Sequence, residues 1–362
     1  PEPISVWPHT IECEALCELG FADGQQIAES LLELRDSARL RHLQAEGRSR
    51  LDLFMPRLLR ACGEHALSDT ALFRLLPLVQ AVARRSAYLV LLIENPSALQ
   101  ELVQLCAASP LISEQLSRNP VLLDELLDSR TLYSLPDKDL LRSALQQQLD
   151  RLAPDDLEAN MDALRYFKAA QVLHIAASEV TQRLPLMKVS DKLTYLAEVI
   201  VEQALILAWR DLTAKYGNPG RAEVAETSSV TQLPADCGFA VLGYGKLGGI
   251  ELGHGSDLDM VFVYDAPAQG VTDGKRSIDN VVFYTRLGQR IIHILDTRTA
   301  MGQLYEVDMR LRPSGESGML SATFKGFQDY HENEAWTWEH QALVRARFVA
   351  GDAAVGKRCD EV

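Results

Sequence analysis

No cysteine pair at C-x-x-C spacing occurs anywhere in the chain; its six cysteines (Cys13, Cys17, Cys62, Cys106, Cys237 and Cys359) are scattered. That pattern argues against structural zinc and against a disulfide framework, and leaves buried reduced thiols as the expectation. No apolar run approaches membrane-spanning length and no signal peptide is visible, so a soluble, cytoplasmic protein without a membrane partner is expected. Basic residues are in short supply: 36 Lys and Arg stand against 50 Asp and Glu, a formal charge of −14. This balance argues against broad nucleic-acid binding while leaving room for a local basic pocket. The chain also begins at Pro1 rather than Met, as expected of a piece excised from a longer protein. What is present is ordinary for a globular protein, 47% hydrophobic and 24% charged over 362 residues, a length suited to two or three domains.

Residues from about 10 to 216 read as helix throughout, rich in Leu, Ala, Glu and Gln. Asn95-Pro96-Ser-Ala-Leu99-Gln-Glu101-Leu102 recurs as Asn119-Pro120-Val-Leu-Leu123-Asp-Glu125-Leu126. In each copy Asn is placed to cap a helix and Pro to occupy its first turn. Two copies do not make a solenoid, so a pair of bundled helices is expected. A long helix is predicted from Ser190 to its stop at Gly217. The stretch 218–237, with Gly, Pro, Ser and Thr and little periodicity, reads as a linker. Beyond it the composition shifts: 239–242, 258–264 and 304–310 read as strands, with an amphipathic helix across 278–295. The fold class is therefore α+β, with a helical region over 1–217, a linker over 218–237 and a small mixed lobe over 238–362.

Chemistry concentrates in 243–265, GYGKLGGIELGHGSDLDMVFVYD. A glycine-rich turn precedes Asp257 and Asp259, and the pair runs into the strand-like 260–264. Two carboxylates one residue apart on a strand project from the same face. They repel each other unless a cation lies between them. The turn offers backbone N–H groups suited to phosphate. Carboxylates, a hard divalent ion and a phosphate cradle together point to phosphoryl or nucleotidyl transfer.

Two other nucleotide motifs must be set aside. Gly243, Gly245 and Gly248 fit G-x-G-x-x-G after a strand, with Asp265 about twenty residues on. A dinucleotide crossover, however, needs a helix of about ten residues or more between its strands. Only 249–256 is available, and Gly253 and Gly255 break it. A P-loop is excluded because Lys246 lacks the required spacing and the following Ser or Thr.

The third piece is Tyr305-Glu-Val-Asp308-Met-Arg310-Leu-Arg312-Pro313. Strand alternation would put Asp308, Arg310 and Arg312 on one face. One acid and two arginines fit a site for metal and phosphate together, and the arginines could clamp phosphate or simply balance the acids. Downstream, Trp336, Trp338, Glu339, Arg345 and Arg347 read as an aromatic and charged helical segment with a tryptophan in the core. His254, beside the glycines, reads as a solvated loop histidine.

A glycine turn, Asp-x-Asp on a strand and a third Asp on a later strand resemble the DNA polymerase β-like nucleotidyltransferases. The wording at 244–249 (Tyr-Gly-Lys-Leu-Gly-Gly), 256–259 (Ser-Asp-Leu-Asp), 307–318 (Val-Asp-Met-Arg-Leu-Arg-Pro-Ser-Gly-Glu-Ser-Gly) and 336–340 (Trp-Thr-Trp-Glu-His) is similar to that of the bifunctional glutamine synthetase adenylyltransferase/adenylyl-removing enzymes. The resemblance runs through 238–352, and the helical part with its Asn-Pro segments looks like that family's central region. It implies a polymerase β-like catalytic lobe, truncated at its C-terminal end. The helical approach and the form around Asp308 are closer to the family's C-terminal, adenylylating domain than to its sister.

The resemblance implies a mechanism. Asp257 and Asp259 would bind two Mg²⁺ ions, one arriving with ATP. Asp308 would hold the other and help to deprotonate a tyrosine hydroxyl of glutamine synthetase, which attacks the α-phosphorus as pyrophosphate leaves. Gly245, Lys246 and Gly248 would contact the triphosphate, Ser256 would add a hydroxyl, and Arg310 and Arg312 would approach phosphate. Lys246 departs from the small Gly/Ser pair usual in the wider superfamily. Glutamine synthetase is the implied protein substrate and the PII signalling protein the implied regulator. Two alternatives share these features: removal of AMP by phosphorolysis, and a non-catalytic helical module that only binds the synthetase or PII. Three intact acids speak against the second.

Overall fold

The computed structural model describes residues 7, 11–85, 87–126, 129–220, 233–267 and 269–362. The chain divides into two compact units, 1–135 with 172–185, and 136–171 with 186–362. Among the described residues no helix is long and apolar enough to cross a membrane.

The first unit is helical. Its helices include Gly24–Asp36, Ala45–Gly63, Ser68–Val82 and Pro96–Ala108. Leucines at helical spacing, such as Leu51, Leu58, Leu72, Leu75 and Leu102, are at most 1% exposed and form the core. Caps arise from short polar side chains: Asp23 accepts from the Gln26 N–H and Ser109 from the Ile112 N–H. The Asn-Pro repeat is unequal in structure. Its first copy starts the 13-residue Pro96–Ala108 helix, but the Asn95 amide donates back to the Leu91 carbonyl instead of capping forward. Among the described residues the second copy makes a 3₁₀ turn, Pro120–Leu122, followed by helix over Leu123–Leu126. The expectation of buried thiols holds for Cys62, Cys106, Cys237 and Cys359, but Cys13 and Cys17 are exposed. Burial pushes the Cys106 thiol up to about 12, which keeps it protonated and inert.

The second unit holds helices and the sheet. The helix expected from Ser190 begins earlier and runs Leu186–Tyr216. It stops at Gly217, whose φ of +79° suits glycine. Of the expected linker, 221–232 lies outside the described residues, while its flanks pack: Pro219 bridges Thr272 and Cys237 is buried.

Among the described residues, five strands form a small mixed sheet: β1 (Phe239–Gly243), β2 (Leu258–Tyr264), β3 (Val307–Asp308), β4 (Ser321–Thr323) and β5 (Arg347–Gly351). β1 is antiparallel to both β2 and β5, whereas β2 is parallel to β3 at its start and to β4 at its end. The antiparallel β1–β2 pair rules out a dinucleotide crossover, which needs parallel strands. β1 and most of β2 are buried because both sheet faces are covered. On one face, Tyr284 of the Asn280–Asp296 helix stacks on Tyr264 and Phe239. On the other, Ala240, Leu242, Val261 and Val263 pack with Phe324, Phe327, Val355 and Cys359.

The predicted third strand shrinks from 304–310 to two residues. Tyr305 donates its N–H to the Leu295 carbonyl, and the chain turns directly after Asp308. Two cations of the Leu157–Val180 helix, Arg165 buried and Lys168 half-buried, tie down the segment leading to β3. Arg165, 2% exposed, donates to the carbonyls of Gly302 (2.8 Å) and Thr297. Lys168 donates to the Leu304 carbonyl and lies 3.9 Å from the centre of the Tyr305 ring.

Candidate active site

β1 ends at Gly243, and Tyr244, only 1% exposed, anchors the start of the glycine turn by donating its N–H to the Asp259 carbonyl at 2.9 Å. The chain then makes a single helical turn, Gly245–Gly248. Gly245 has φ +51°, and a Cβ there would lie 2.3 Å from Asp259 Oδ2. Only glycine allows this turn to rest directly against the acid. At the other end, a Cβ on Gly248 would meet the Arg345 carbonyl oxygen at 1.8 Å. Gly248 thus serves a close backbone approach on the side of β5. The loop back to β2 closes on itself, with Ser256 Oγ accepting from the Gly253 N–H at 3.0 Å.

β2 then delivers the acids. Leu258 is fully buried, so Asp257 and Asp259 flank an anchored position. β3 adds the third: Asp308 is the direct register partner of Asp259. One carboxylate oxygen from each of Asp257, Asp259 and Asp308 can be chosen so that all lie within 4.8 Å of one another. Burial, reinforced by the charges of Asp257 and Asp308, raises the Asp259 carboxyl above its usual range, while Arg310 and Lys246 oppose the rise. Asp308 moves the other way, held low chiefly by the hydrogen bonds of the Arg310 side chain. Three hard oxygens that repel one another are the donor set a hard divalent cation takes, so the residues fit such an ion.

The arginines divide. Arg310 lies on the turn after β3, exposed at 73% of its side chain, and forks onto Asp308 with Nε–Oδ2 at 2.8 Å. Its backbone N–H also donates to Asp308 Oδ1. Arg312 turns into its own loop, donating to the carbonyls of Met309 (2.7 Å) and Glu316 (3.2 Å). The common strand face expected for Asp308, Arg310 and Arg312 does not form, because the strand ends at Asp308. The structure therefore brings together Asp257, Asp259, Asp308, Gly245, Arg310 and, by its charge, Lys246. Ser256 and Arg312 are engaged in holding their loops.

The tryptophans depart from expectation: Trp336 and Trp338 are 70% and 56% exposed. Their helix is short, Thr337–Leu343, and Glu339 accepts from Tyr330 Oη and the Trp336 N–H. Arg347, read as helical, lies on β5.

Sequence reasoning missed Glu198, 2% exposed on the Leu186–Tyr216 helix, which ion-pairs with Lys138 and Arg347. Its signal was available: an acid inside the apolar run 196–201 cannot reach water and calls for a cation.

A family model described as glutamate-ammonia ligase adenylyltransferase matches residues 99–362. Proteins named bifunctional glutamine synthetase adenylyltransferase/adenylyl-removing enzyme are similar along almost the whole chain. The one from Pseudomonas syringae pv. tomato is 54% identical over 347 residues, covering 96% of this chain and 34% of the relative. That from Pseudomonas putida is 55% identical over 341 residues, covering 94% and 34%. The chain thus spans about a third of the length of the curated relatives it matches. With the family model matched over most of its length and the acids gathered where β2 and β3 pair, the chain belongs to the glutamate-ammonia ligase adenylyltransferase family.

Proposed function

We propose that this chain transfers AMP from ATP to a tyrosine hydroxyl of glutamine synthetase. The tyrosine oxygen bonds to the α-phosphorus, the bond to the β-phosphate bridge breaks, pyrophosphate leaves, and the hydroxyl proton passes to a carboxylate. The observation that carries the reading is the pairing of Asp259 with Asp308 across β2 and β3, with Asp257 beside them. The names of the relatives supply the protein substrate.

Asp257, Asp259 and Asp308 would hold two Mg²⁺ ions, which when bound lower the cost of charge on the entering and leaving oxygens. Asp308 takes the tyrosine proton at its carboxylate. The Arg310 fork keeps that carboxylate ionised, the form that both metal binding and proton acceptance require. Lys246, whose charge is felt at Asp259, and the glycine turn around Gly245 bind the triphosphate. Arg310, exposed and one turn from the acids, provides a second cation for phosphate. A cytoplasmic setting and control of the complete protein by PII belong to the same proposal.

The test is incubation with Mg-ATP and unmodified glutamine synthetase, followed by intact mass spectrometry of the synthetase. One AMP gained per modified subunit, and lost with Asp257→Asn, supports the reading. No gain, together with phosphate-dependent loss of AMP from pre-adenylylated synthetase, overturns it in favour of the removing activity.

A further inference from the structure

The glycine turn is four residues long, too short to hold its own position. Of its carbonyls, Gly245 and Lys246 accept from the Gly249 and Glu251 N–H groups, but Leu247 has only a long 3.5 Å bond from Ile250, so the end of the turn draws on donors supplied from outside. Arg347 does this across 100 residues of sequence: its guanidinium donates through Nη2 to the Leu247 carbonyl at 3.1 Å and through Nε to the Gly248 carbonyl at 3.2 Å. On β5, Arg347 is the register partner of Gly243, the residue from which the turn departs. The same guanidinium ion-pairs with Glu198, which also pairs with Lys138. Glu198 is 2% exposed on a helix whose neighbouring positions are apolar and buried, so its carboxylate is a fixed point. A planar guanidinium can meet a carboxylate and two carbonyls at once, which an ammonium on a flexible stem cannot.

The turn is thereby gripped from both sides. Gly245 rests on Asp259, leaving no space for a Cβ, and Gly248 rests on the backbone at Arg345. Between them sits Lys246, whose own carbonyl accepts the Glu251 N–H at 2.8 Å. Neither Arg347 nor Glu198 is among the three clustered acids, and the polar contacts of Arg347 lead to the turn, to Glu198 and, through Nη1 at 3.5 Å, to the Phe348 carbonyl of its own strand.

We infer that Arg347, anchored by Glu198, is a positioning residue that sets the glycine turn, and with it Lys246, against Asp259 for the triphosphate. The inference rests on the nucleotidyl-transfer reading of the site and adds to it which distant residues make the site competent for nucleotide. The device links the interior of the Leu186–Tyr216 helix to the turn through one side chain.

Its test is steady-state AMP transfer to glutamine synthetase at varied Mg-ATP for the wild type, Arg347→Lys, Glu198→Gln and the double variant, with thermal unfolding of each. Lysine at 347 keeps the charge facing Glu198 but cannot satisfy both carbonyls. A misplaced binding turn is expected to raise KM for ATP by about tenfold, since a shift of about 1 Å can cost on the order of 10²-fold. KM for the synthetase should stay unchanged. Loss of folded enzyme alone would lower kcat and leave KM for ATP untouched. The double variant should be little worse than the worse single one, because both substitutions break one chain of contacts. Two results overturn the inference with the wild type active: folded Arg347→Lys with the wild-type KM for ATP, or KM effects that multiply in the double variant, which would mean that Arg347 acts on the nucleotide independently of Glu198. Should Arg347→Lys not fold, Glu198→Gln carries the same KM readout. A wild type that transfers no AMP overturns the functional reading instead, which separates the two failures.

Discussion

Gly245→Ala separates the cost of folding from the cost of chemistry. Gly245 sits at φ +51°, where an L side chain costs about 1–2 kcal/mol. At about 2–4 °C per kcal/mol for a unit of this size, the melting temperature should fall by only a few degrees. The larger effect is local. The added Cβ would lie 2.3 Å from Asp259 Oδ2 and 3.0 Å from its Cγ. Ordinary van der Waals contact requires about 1 Å more, and the side chain that must give way is one of the three clustered acids. A displacement of about 1 Å in a reacting constellation is expected to cost on the order of 10²-fold in rate. The assay is AMP transfer to glutamine synthetase at saturating Mg-ATP, alongside thermal unfolding. Gly255→Ala is the matched control, because a Cβ there meets no atom within 4 Å, and it should leave both readings near wild type. A folded Gly245→Ala protein retaining activity within about threefold of wild type would refute the claim that the turn and Asp259 form one unit.

Asp259→Asn should raise thermal stability at neutral pH in the absence of divalent ions while abolishing transfer. The raised Asp259 pKa means that the native state holds its proton more tightly than the unfolded chain. Stability is therefore lost as pH rises from the unfolded carboxylate pKa through the raised native one, and the amide removes that loss. Mg²⁺ should raise the melting temperature of the wild type but not of the variant; an equal rise in both would place the ion elsewhere. Lys168 gives a prediction at high pH. Burial lowers its pKa from 10.5 to about 8, so the unfolded chain binds more protons between those values and stability rises with pH across that window. The unfolding free energy of the wild type minus that of Lys168→Met should grow by up to about 3 kcal/mol from pH 8 to 10.5, using 1.36 kcal/mol per unit. The difference isolates Lys168 from buried tyrosines and cysteines titrating nearby, and a flat difference would show that the lysine is solvated.

The sequence alone determined what depends on near neighbours. Glycines at 243, 245 and 248 followed by Asp257 and Asp259 announced a turn leading to paired acids, because φ above zero and side-chain alternation are properties of a few consecutive residues. Apolar periodicity likewise marked the Leu186–Tyr216 and Asn280–Asp296 helices to within a few residues. The extent of β3 was not legible, since a two-residue strand exists only through its pairing with β2. Nor could local pattern show that Arg310 would fork onto Asp308 while Arg312 turned into its own loop. Propensity is blind to where a chain turns once pairing stops. Exposure of Trp336 and Trp338 escaped the same reasoning, because burial of an aromatic is decided by what packs over it. Tertiary structure alone decided that Asp308 stands opposite Asp259, about fifty residues away, and that Glu198 and Arg347 meet at the glycine turn. Those contacts depend on sheet register and on a charge kept from water, which bring together residues that no local periodicity connects.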